Sequence, residues 1–182
     1  MFIRSERLFL RPGWPEDWAE LHAVIDDEQI VRNLARAPWP YRPDDARWFA
    51  NQPQDRRHPH FFVTLPGAHG TRLVGSVGLS EHEGETELGF WIGRSHWGKG
   101  YATEAARAVV NLARTLGHRR IVASHFIDNP ASGHVLEKAG FVATGEICPR
   151  FGEGRRAVAP TVVYALELSG ADNGDMEVMR AA

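Results

Sequence analysis

The sequence predicts a mixed α/β (α+β) fold, in which a twisted, mostly antiparallel sheet of about seven strands is flanked by about four helices. Two observations predict this class. Short segments that alternate apolar and polar residues follow one another before residue 93 and are typical of an antiparallel meander. A long helical pattern, a strand, a second helix and further strands come after them, as in crossover folds. We expect a single domain over residues 1–168 and a polar tail at 169–182.

The composition excludes several classes of protein. The chain has 182 residues, of which 43% are hydrophobic and 24% charged, values typical of a globular domain. Its net charge of -2 offers no basic surface for nucleic acid, and no apolar run is long enough to cross a membrane. A single cysteine, Cys148, excludes an internal disulfide, and we expect it to pack rather than react. No signal-like apolar run follows Met1, and together with the single cysteine this favours a cytoplasmic location. We expect the protein to be a monomer or a homodimer.

Apolar periodicity predicts the elements of the N-terminal half. Leu8 and Leu10 alternate with polar residues, whereas Trp18, Leu21 and Ile25 recur at helical spacing. A proline-punctuated stretch then interrupts regular structure before a second helix. The predicted segments are a strand at 6–12, helices at 15–25 and 44–51, and strands at 60–65, 72–80 and 86–93.

Helix signals are clearest in the C-terminal half. An apolar stripe over residues 102–116 predicts a long helix, which Gly117 would end. Asn129 is a good N-cap for a second helix, Pro130 suits its first position, and Gly140 would stop it. The remaining predicted segments are strands at 120–126, 141–146 and 161–168, with a basic, glycine-bearing loop at 151–156.

The junction between the strand at 86–93 and the long helix contains Gly98 and Gly100. Glycine permits a tight turn and lets a ligand approach the backbone closely. The first N–H groups of a helix have no partner within the helix and carry partial positive charge, so this junction suits a phosphate or pyrophosphate. Its spacing is neither that of a P-loop nor that of a dinucleotide fingerprint. The glycines alone fit an ordinary strand-to-helix turn equally well.

The longer string WGKGYATEA resembles the acyl-CoA pyrophosphate loop of the GNAT superfamily, N-acetyltransferases that use acetyl-CoA. That motif, Q/R-x-x-G-x-G/A, falls on Ser95 to Gly100, where both glycines match and Ser95 replaces Gln or Arg. The opening ERLFLRP and the tail YATEA resemble the RimJ/RimL-like branch. NPASGHVLEKAGF resembles the second CoA-side segment of the superfamily. The resemblance therefore extends from Glu6 to Leu168, nearly the whole chain.

This resemblance implies a GNAT-like fold and a site for acetyl-CoA. The backbone amides from Gly98 to Thr103 would hold the pyrophosphate, Asn129 would contact the pantetheine arm, and Ser132 would hydrogen-bond the leaving sulfur. From the residues alone, Asn129 is a helix cap and Ser132 a polar residue of the first helical turn. The residues implied to contact the cofactor are Trp91, Ile92, Gly93, Trp97, Gly98, Lys99, Gly100, Tyr101, Ala102, Thr103, Asn129 and Ser132.

Acetyl transfer from a thioester to an amine requires a neutral amine, a polarised carbonyl and a stabilised thiolate, without a covalent enzyme intermediate. Glu87 is the candidate base, because it lies on the strand before the loop among apolar residues and burial would raise its pKa. A glutamate on this strand has that role in several GNAT enzymes. The alternative for Glu87 is a solvated charge on the outer face of the strand.

The group that protonates the thiolate and the acceptor wall are less defined. Many GNAT enzymes carry a tyrosine in the second segment where this chain has Leu136, so Ser132, one turn earlier on the same face, is the candidate. Trp39 and Trp48 lie in the aromatic region before residue 60 and are candidates for the acceptor wall or for core packing. The expected acceptor is a protein N-terminus or a small-molecule amine.

Two further classes of function stay open. The missing tyrosine and the missing Gln or Arg at Ser95 are also typical of a non-catalytic acyl-CoA-binding or regulatory module on the same fold. A nucleotide-phosphate-binding protein would rest on the glycine loop alone. The chain has nine histidines but no HExxH motif and no Cys/His cluster, so we expect no metal site.

Overall fold

The computed structural model describes residues 1–68 and 70–168, which form one eight-stranded sheet. The strands are β1 (Ile3–Arg4), β2 (Phe9–Arg11), β3 (His60–Gly67), β4 (Gly70–His82), β5 (Glu85–Ile92), β6 (Arg120–Phe126), β7 (Val142–Gly152) and β8 (Ala157–Glu167). Their order in the sheet is β1-β2-β3-β4-β5-β6-β8-β7. All neighbouring pairs are antiparallel except β5 and β6, which are parallel. The predicted mixed, mostly antiparallel sheet is confirmed.

Helices cover both faces of the sheet. They are α1 (Trp18–Ile25), α2 (Glu28–Val31), α3 (Pro43–Ala50), α4 (Tyr101–Thr115) and α5 (Pro130–Lys138), with 3₁₀ turns at Pro15–Asp17 and Arg94–His96. One hydrophobic core lies between the sheet and α4 and α5, and a second lies between the sheet and α1 to α3. Alternate residues along each strand supply these two cores, so neighbouring strand residues face opposite sides of the sheet.

The structure has one strand and one helix more than predicted. The strand β1 is only two residues long, and α2 is a single turn whose N-cap, Asp27, accepts a hydrogen bond from the Gln29 N–H. Ile30 and Val31 of α2 are buried. Elements this short contain too few residues to show a period, which is why the apolar pattern did not reveal them.

The C-terminal hairpin of β7 and β8 is longer than predicted at its closed end. The prediction placed a loop at 151–156 and left 147–150 unassigned, but β7 continues to Gly152. Pro149 faces Pro160 across the hairpin. A proline is tolerated there because β7 is the edge strand of the sheet. Cys148 is exposed on this strand, so the expectation that it packs is wrong.

A gap opens in the middle of the sheet between β5 and β6. These parallel strands share one register pair, Glu87 with Val122. Beyond that pair, β5 stays paired with β4 as far as Ile92, and β6 stays paired with β8 as far as Phe126. The two strands therefore separate towards their C-terminal ends, and the separation leaves room for a ligand between them.

The predicted polar tail at 169–182 lies outside the described residues. Among the helices of the described ranges, none is both long and apolar enough to span a bilayer.

Candidate active site

The loop between β5 and α4 presents a run of backbone N–H groups. Gly98 and Gly100 have φ angles of 72° and 79°, in the left-handed region that residues with a side chain rarely adopt. Both glycines and the intervening Lys99 are exposed. Over residues 1–68 and 70–168, no hydrogen bond to protein is donated by the backbone N–H groups from Gly98 to Thr103. The loop and the helix N-terminus together therefore have the chemistry of an anion site.

Two of the predicted cofactor residues, Trp97 and Lys99, make hydrogen bonds within the loop region. The Trp97 indole N–H donates to the Ile92 carbonyl at 2.6 Å, and the Lys99 ammonium donates to the Ser95 carbonyl at 3.0 Å. These bonds fix the shape of the loop and leave the backbone amides as its free donors. The other predicted residues flank the loop: Trp91, Ile92 and Gly93 are buried at the end of β5, and Tyr101, Ala102 and Thr103 are half-buried in the first turn of α4.

The N-terminal segment braces this loop from outside. Arg7 and Glu104 form an ion pair at 2.7 Å, and the Glu104 Oε1 also accepts from the Ser5 hydroxyl and the Arg7 N–H at 2.7 Å. The Arg7 Nη1 donates to the Lys99 carbonyl at 2.9 Å, and the guanidinium lies over the Tyr101 ring. The Arg7–Lys99 bond orients a peptide group inside the loop. The motifs ERLFLRP and YATEA therefore meet in space, a contact that the sequence did not predict.

A cavity of about 550 Å³ occupies the gap between β5 and β6, a volume suited to a small ligand. Glu87, Trp91 and Ser132, three of the predicted site residues, line it together. Trp48, which is 66% exposed, also lines this cavity. Trp39 is half-buried and packs against the core beneath α1 to α3. The two predicted catalytic residues thus share one site, whereas only one of the two tryptophans faces it.

Glu87 is held at the narrow end of the gap by an arginine from β7. The Arg150 guanidinium contacts both carboxylate oxygens of Glu87, with the Nη2 bond to Oε2 at 2.9 Å. Ser124 of β6 lies beside the pair, because its hydroxyl accepts from the Arg150 Nη1 at 2.8 Å and contacts the Glu87 Oε1 at 3.3 Å. Three strands therefore converge on one buried ion pair. Glu87 is not the solvated charge that the sequence left as an alternative.

The ion pair reverses the expected pKa shift of Glu87. The carboxyl is 7% exposed, and burial raises its pKa, but the hydrogen bonds and charge of Arg150, with the charges of His82 and Arg36, outweigh burial. The pKa of Glu87 is therefore lowered, and the prediction that it is raised is wrong. The hydrogen bonds to Glu87 likewise raise the pKa of Arg150. At neutral pH Glu87 is an ionised carboxylate and a weak base.

Ser132 lies in the first turn of α5 and lines the same cavity as the ion pair. Its hydroxyl accepts a hydrogen bond from the Asn129 side-chain amide at 2.9 Å. Asn129 occupies the N-cap position as predicted, but its side chain makes no cap hydrogen bond and is directed to Ser132 instead. Leu136, at the position of the usual tyrosine, is 1% exposed in the core. Among these helix residues, Ser132 is therefore the one with a hydroxyl in the cavity.

Comparisons with known proteins agree with this geometry. A family model described as an acetyltransferase (GNAT) domain matches residues 7–142. The chain belongs to the GNAT acetyltransferase family. It is 38% identical over 152 residues to the uncharacterized N-acetyltransferase YoaA of Bacillus subtilis (strain 168), covering 79% of this chain and 84% of that protein. This protein is accordingly an N-acetyltransferase.

Solved structures share the fold of this acetyltransferase. The GNAT-family acetyltransferase from Bacillus anthracis has a TM-score of 0.79 and 27% identity, and the match covers 92% of this chain and 98% of that chain. The microcin C7 self-immunity acetyltransferase MccE, solved in complex with acetyl-CoA and AMP, has a TM-score of 0.73 over 89% of this chain and 93% of its own. Its 19% identity to this chain shows likeness of fold alone.

Sequence reasoning about this GNAT domain missed Arg150 and Ser124. Arg150 lies in the stretch left unassigned beside Pro149, so no strand period indicated that its side chain faces the gap. Ser124 was placed correctly in a strand, but a single serine among apolar residues gives no sign of a partner. Only the order of strands, with β8 and β7 beside β6, brings these residues to Glu87.

The described ranges of this acetyltransferase contain no group of three or more His, Cys, Asp or Glu side chains placed to hold a metal ion.

Proposed function

We propose that this GNAT enzyme transfers the acetyl group of acetyl-CoA to a primary amine. The observation that carries the proposal is the run of backbone N–H groups from Gly98 to Thr103 at the N-terminus of α4, which donate no hydrogen bond to the described part of the chain. Such a run suits the two negatively charged phosphates of a pyrophosphate. The strand that leads into this loop also lines the cavity, so a cofactor held at the loop has a route into the gap between β5 and β6.

The proposed reaction removes two protons from the nitrogen of the incoming ammonium: one before attack, and one from the tetrahedral intermediate, which the leaving thiolate takes up. The neutral amine nitrogen attacks the thioester carbonyl carbon, a C–N bond forms, the C–S bond breaks, and CoA leaves as a thiolate. Ionised Glu87 attracts the incoming ammonium and accepts its proton, directly or through a water. Because Arg150 lowers the pKa of Glu87, attraction of the ammonium is the larger part of this role.

Ser132 is the proposed partner of the leaving sulfur. Since its hydroxyl accepts a bond from Asn129, its own hydrogen is free to be donated into the cavity. Asn129 is thus proposed to orient Ser132, besides contacting the pantetheine arm. The buried Leu136 leaves no other hydroxyl on this face of α5 to take that position.

We propose the acceptor only as a class of amine and the location only as a cell compartment. The RimJ/RimL-like motifs favour a protein N-terminus, while a small-molecule amine fits the same cavity, and the location proposed is the cytoplasm. The other candidate, a non-catalytic acyl-CoA-binding module, is favoured by Leu136 in place of tyrosine.

A binding and turnover experiment separates these functions. We expect acetyl-CoA to raise the melting temperature and CoA thiol to be released in the presence of an amine, across peptides with free N-termini, polyamines, amino acids and aminoglycosides. Binding without thiol release for every amine would support the non-catalytic module. A melting temperature that no acyl-CoA changes would reject both, and tighter binding of ATP than of CoA would favour a nucleotide site.

A further inference from the structure

The cavity carries balanced fixed charges. Among the described residues that line it, Arg36 and Arg150 are positive, and Asp45 and Glu87 are negative. A polyamine with several positive charges would add to the charge of two arginines and meet only two carboxylates. A ligand with one positive and one negative group instead leaves the balance unchanged, and it gains from each charge if the two groups meet opposite partners.

Arg150 has one side of its guanidinium still available. Its Nη1 and Nη2 bind Glu87, and Nη1 also binds Ser124, which accounts for three of five N–H groups. The Nε–H has no hydrogen-bond partner in the described ranges and is not among the buried unpaired atoms. The Nε–Nη2 edge is the second edge at which arginine binds a carboxylate bidentately. Arg150 therefore has donors left for an anion.

Arg36 adds a second positive charge at the same place. It is exposed, and among the described residues its side chain forms no ion pair. Arg36 and Arg150 both line a second cavity of about 610 Å³ as well as the first, so they lie where the two cavities adjoin, and Glu83 and Glu153 line only the second cavity. An anion at this junction would face two guanidinium groups, with Glu87 deeper in the gap.

Of the two carboxylates, Glu87 is the better placed for an ammonium. One oxygen of Asp45 accepts the Arg42 N–H at 2.7 Å and is committed to the start of α3. Glu87 accepts two hydrogen bonds from Arg150 and one from Ser124, which leaves about one of the four acceptor positions of its carboxylate, so its advantage over Asp45 is its position in the gap. It lies beside the only register pair of β5 and β6, where the gap narrows. An ammonium there is next to the channel proposed for the thioester.

The rest of the cavity is strongly aromatic. Trp48 and Phe49 of α3, Trp91 of β5 and Phe126 of β6 all line it. These rings offer apolar surface to a ligand side chain, beyond the two charged groups. The combination of an acid, two arginines and aromatic walls matches an amino acid with an apolar or aromatic side chain.

From these placements, which rest on the proposed function, we infer that the acceptor is a small zwitterion: a primary amine that carries a carboxylate and an apolar side chain. Its ammonium lies at Glu87, and its carboxylate binds the free edge of Arg150 together with Arg36. Acetylation then converts the zwitterion into an N-acetyl acid by the steps given above. Arg36 and Arg150 are specificity-determining residues in this arrangement.

Matched acceptors test the inference. Phenylalanine, phenylalaninamide and phenethylamine share the ring and the amine, and only phenylalanine has the carboxylate. With acetyl-CoA saturating, we expect kcat/KM for thiol release to be at least about tenfold higher for phenylalanine than for phenethylamine. Arg36→Gln should reduce this preference by about threefold or more, mainly through KM. Arg114→Gln removes the same charge from the outer surface of α4 and should leave the preference unchanged.

The possible outcomes distinguish the inferred acceptor from the proposed acetyl transfer itself. Thiol release that is as fast with phenethylamine, phenylalaninamide or spermidine as with phenylalanine would overturn the inference and leave the proposed acetyl transfer intact. An unchanged preference in Arg36→Gln would remove Arg36 from the site, and an unchanged preference in Arg150→Lys as well would overturn the inference. No release with any amine, despite binding of acetyl-CoA, would overturn the proposed function itself.

Discussion

The two parts of the candidate active site, the loop before α4 and the cavity between β5 and β6, are built from different parts of the polypeptide. The loop side is one continuous stretch before α4, and its proposed functional groups are backbone N–H groups. The proposed acceptor side is assembled from β5, β6 and β7, and its proposed functional groups are the side chains of Glu87, Ser124 and Arg150, which contact one another. The loop side therefore depends on backbone conformation, whereas the acceptor side depends on charge.

This difference determines which substitutions each side tolerates. Side chains in the loop can vary while the left-handed glycines keep the amides in place, as the substitution of Gln or Arg by Ser95 illustrates. On the acceptor side, removal of one charge leaves a buried partner charge uncompensated. Variants of the two sides should consequently differ in which kinetic constant they change.

The largest effect is expected for Glu87→Gln. If Glu87 accepts the proton, kcat/KM of the wild type is independent of pH between the pKa of Glu87 and that of the amine. The variant can use only neutral amine, so its kcat/KM should rise about tenfold per pH unit up to the pKa of the amine, which is about 8 for an α-amine and about 10.4 for an alkyl amine. The defect should be about 10²–10⁴-fold at neutral pH and shrink as pH rises.

The exposed Glu85 on the same strand provides the control for this prediction. Glu85→Gln makes the same chemical change outside the cavity and should keep the wild-type pH profile. Parallel pH profiles for Glu87→Gln and the wild type would remove Glu87 from proton transfer and leave positioning as the source of catalysis.

A smaller effect, on cofactor affinity, is expected from the loop side. Gly98 and Gly84 have φ angles of 72° and 82°, and an added Cβ meets nothing within 4 Å at either position. Valine at either site brings similar backbone strain, but only Gly98→Val rotates the free amides. We expect its Kd for acetyl-CoA to rise about 10²-fold by calorimetry, and that of Gly84→Val to stay unchanged. Equal affinities in both variants would contradict an amide-based pyrophosphate site.

Unfolding measured as a function of pH reports how much the ionised Glu87 contributes to stability, and it needs no substrate. The folded-state pKa of Glu87 lies below its unfolded value, so Glu87 contributes stability above about pH 4.3 that is lost as pH falls through the folded pKa. Urea unfolding should show the wild type more stable than Glu87→Gln by about 1–3 kcal/mol at neutral pH, with the difference shrinking in acid. A difference that is constant with pH would show that the ion pair does not control the ionisation of Glu87.

The smallest effect is expected for Ser132→Ala. Loss of one hydrogen bond to the leaving thiolate is worth about 1 kcal/mol, so kcat should fall about fivefold while the Kd of CoA stays nearly constant. Asn129→Ala should give a similar or smaller decrease if Asn129 acts by orienting Ser132. An unchanged kcat in Ser132→Ala would leave the thiolate without a partner on α5.

The same contrast explains how far the sequence could predict this protein. Gly98 and Gly100 are proposed to act through the local backbone conformation, which a short sequence motif can indicate. The helix predicted after them begins at Tyr101. Arg150 contacts Glu87, which is 63 positions away, and no local sequence pattern indicates that contact. Glu87 lines the cavity, but the predicted sign of its pKa shift was wrong, because that sign depends on a partner fixed only by strand order.

The hydrogen bond from Arg7 to the Lys99 carbonyl links the first residues of the chain to the loop before α4. Arg7 and Glu104 are 97 positions apart, so their contact joins the N-terminal segment to the start of α4. A ligand that stabilises the loop and the start of α4 should also stabilise the contact of the N-terminal segment with them. Acetyl-CoA bound at the loop should therefore make residues near Ser5 more resistant to proteolytic trimming, so that occupancy of the cofactor site is detected at the chain terminus.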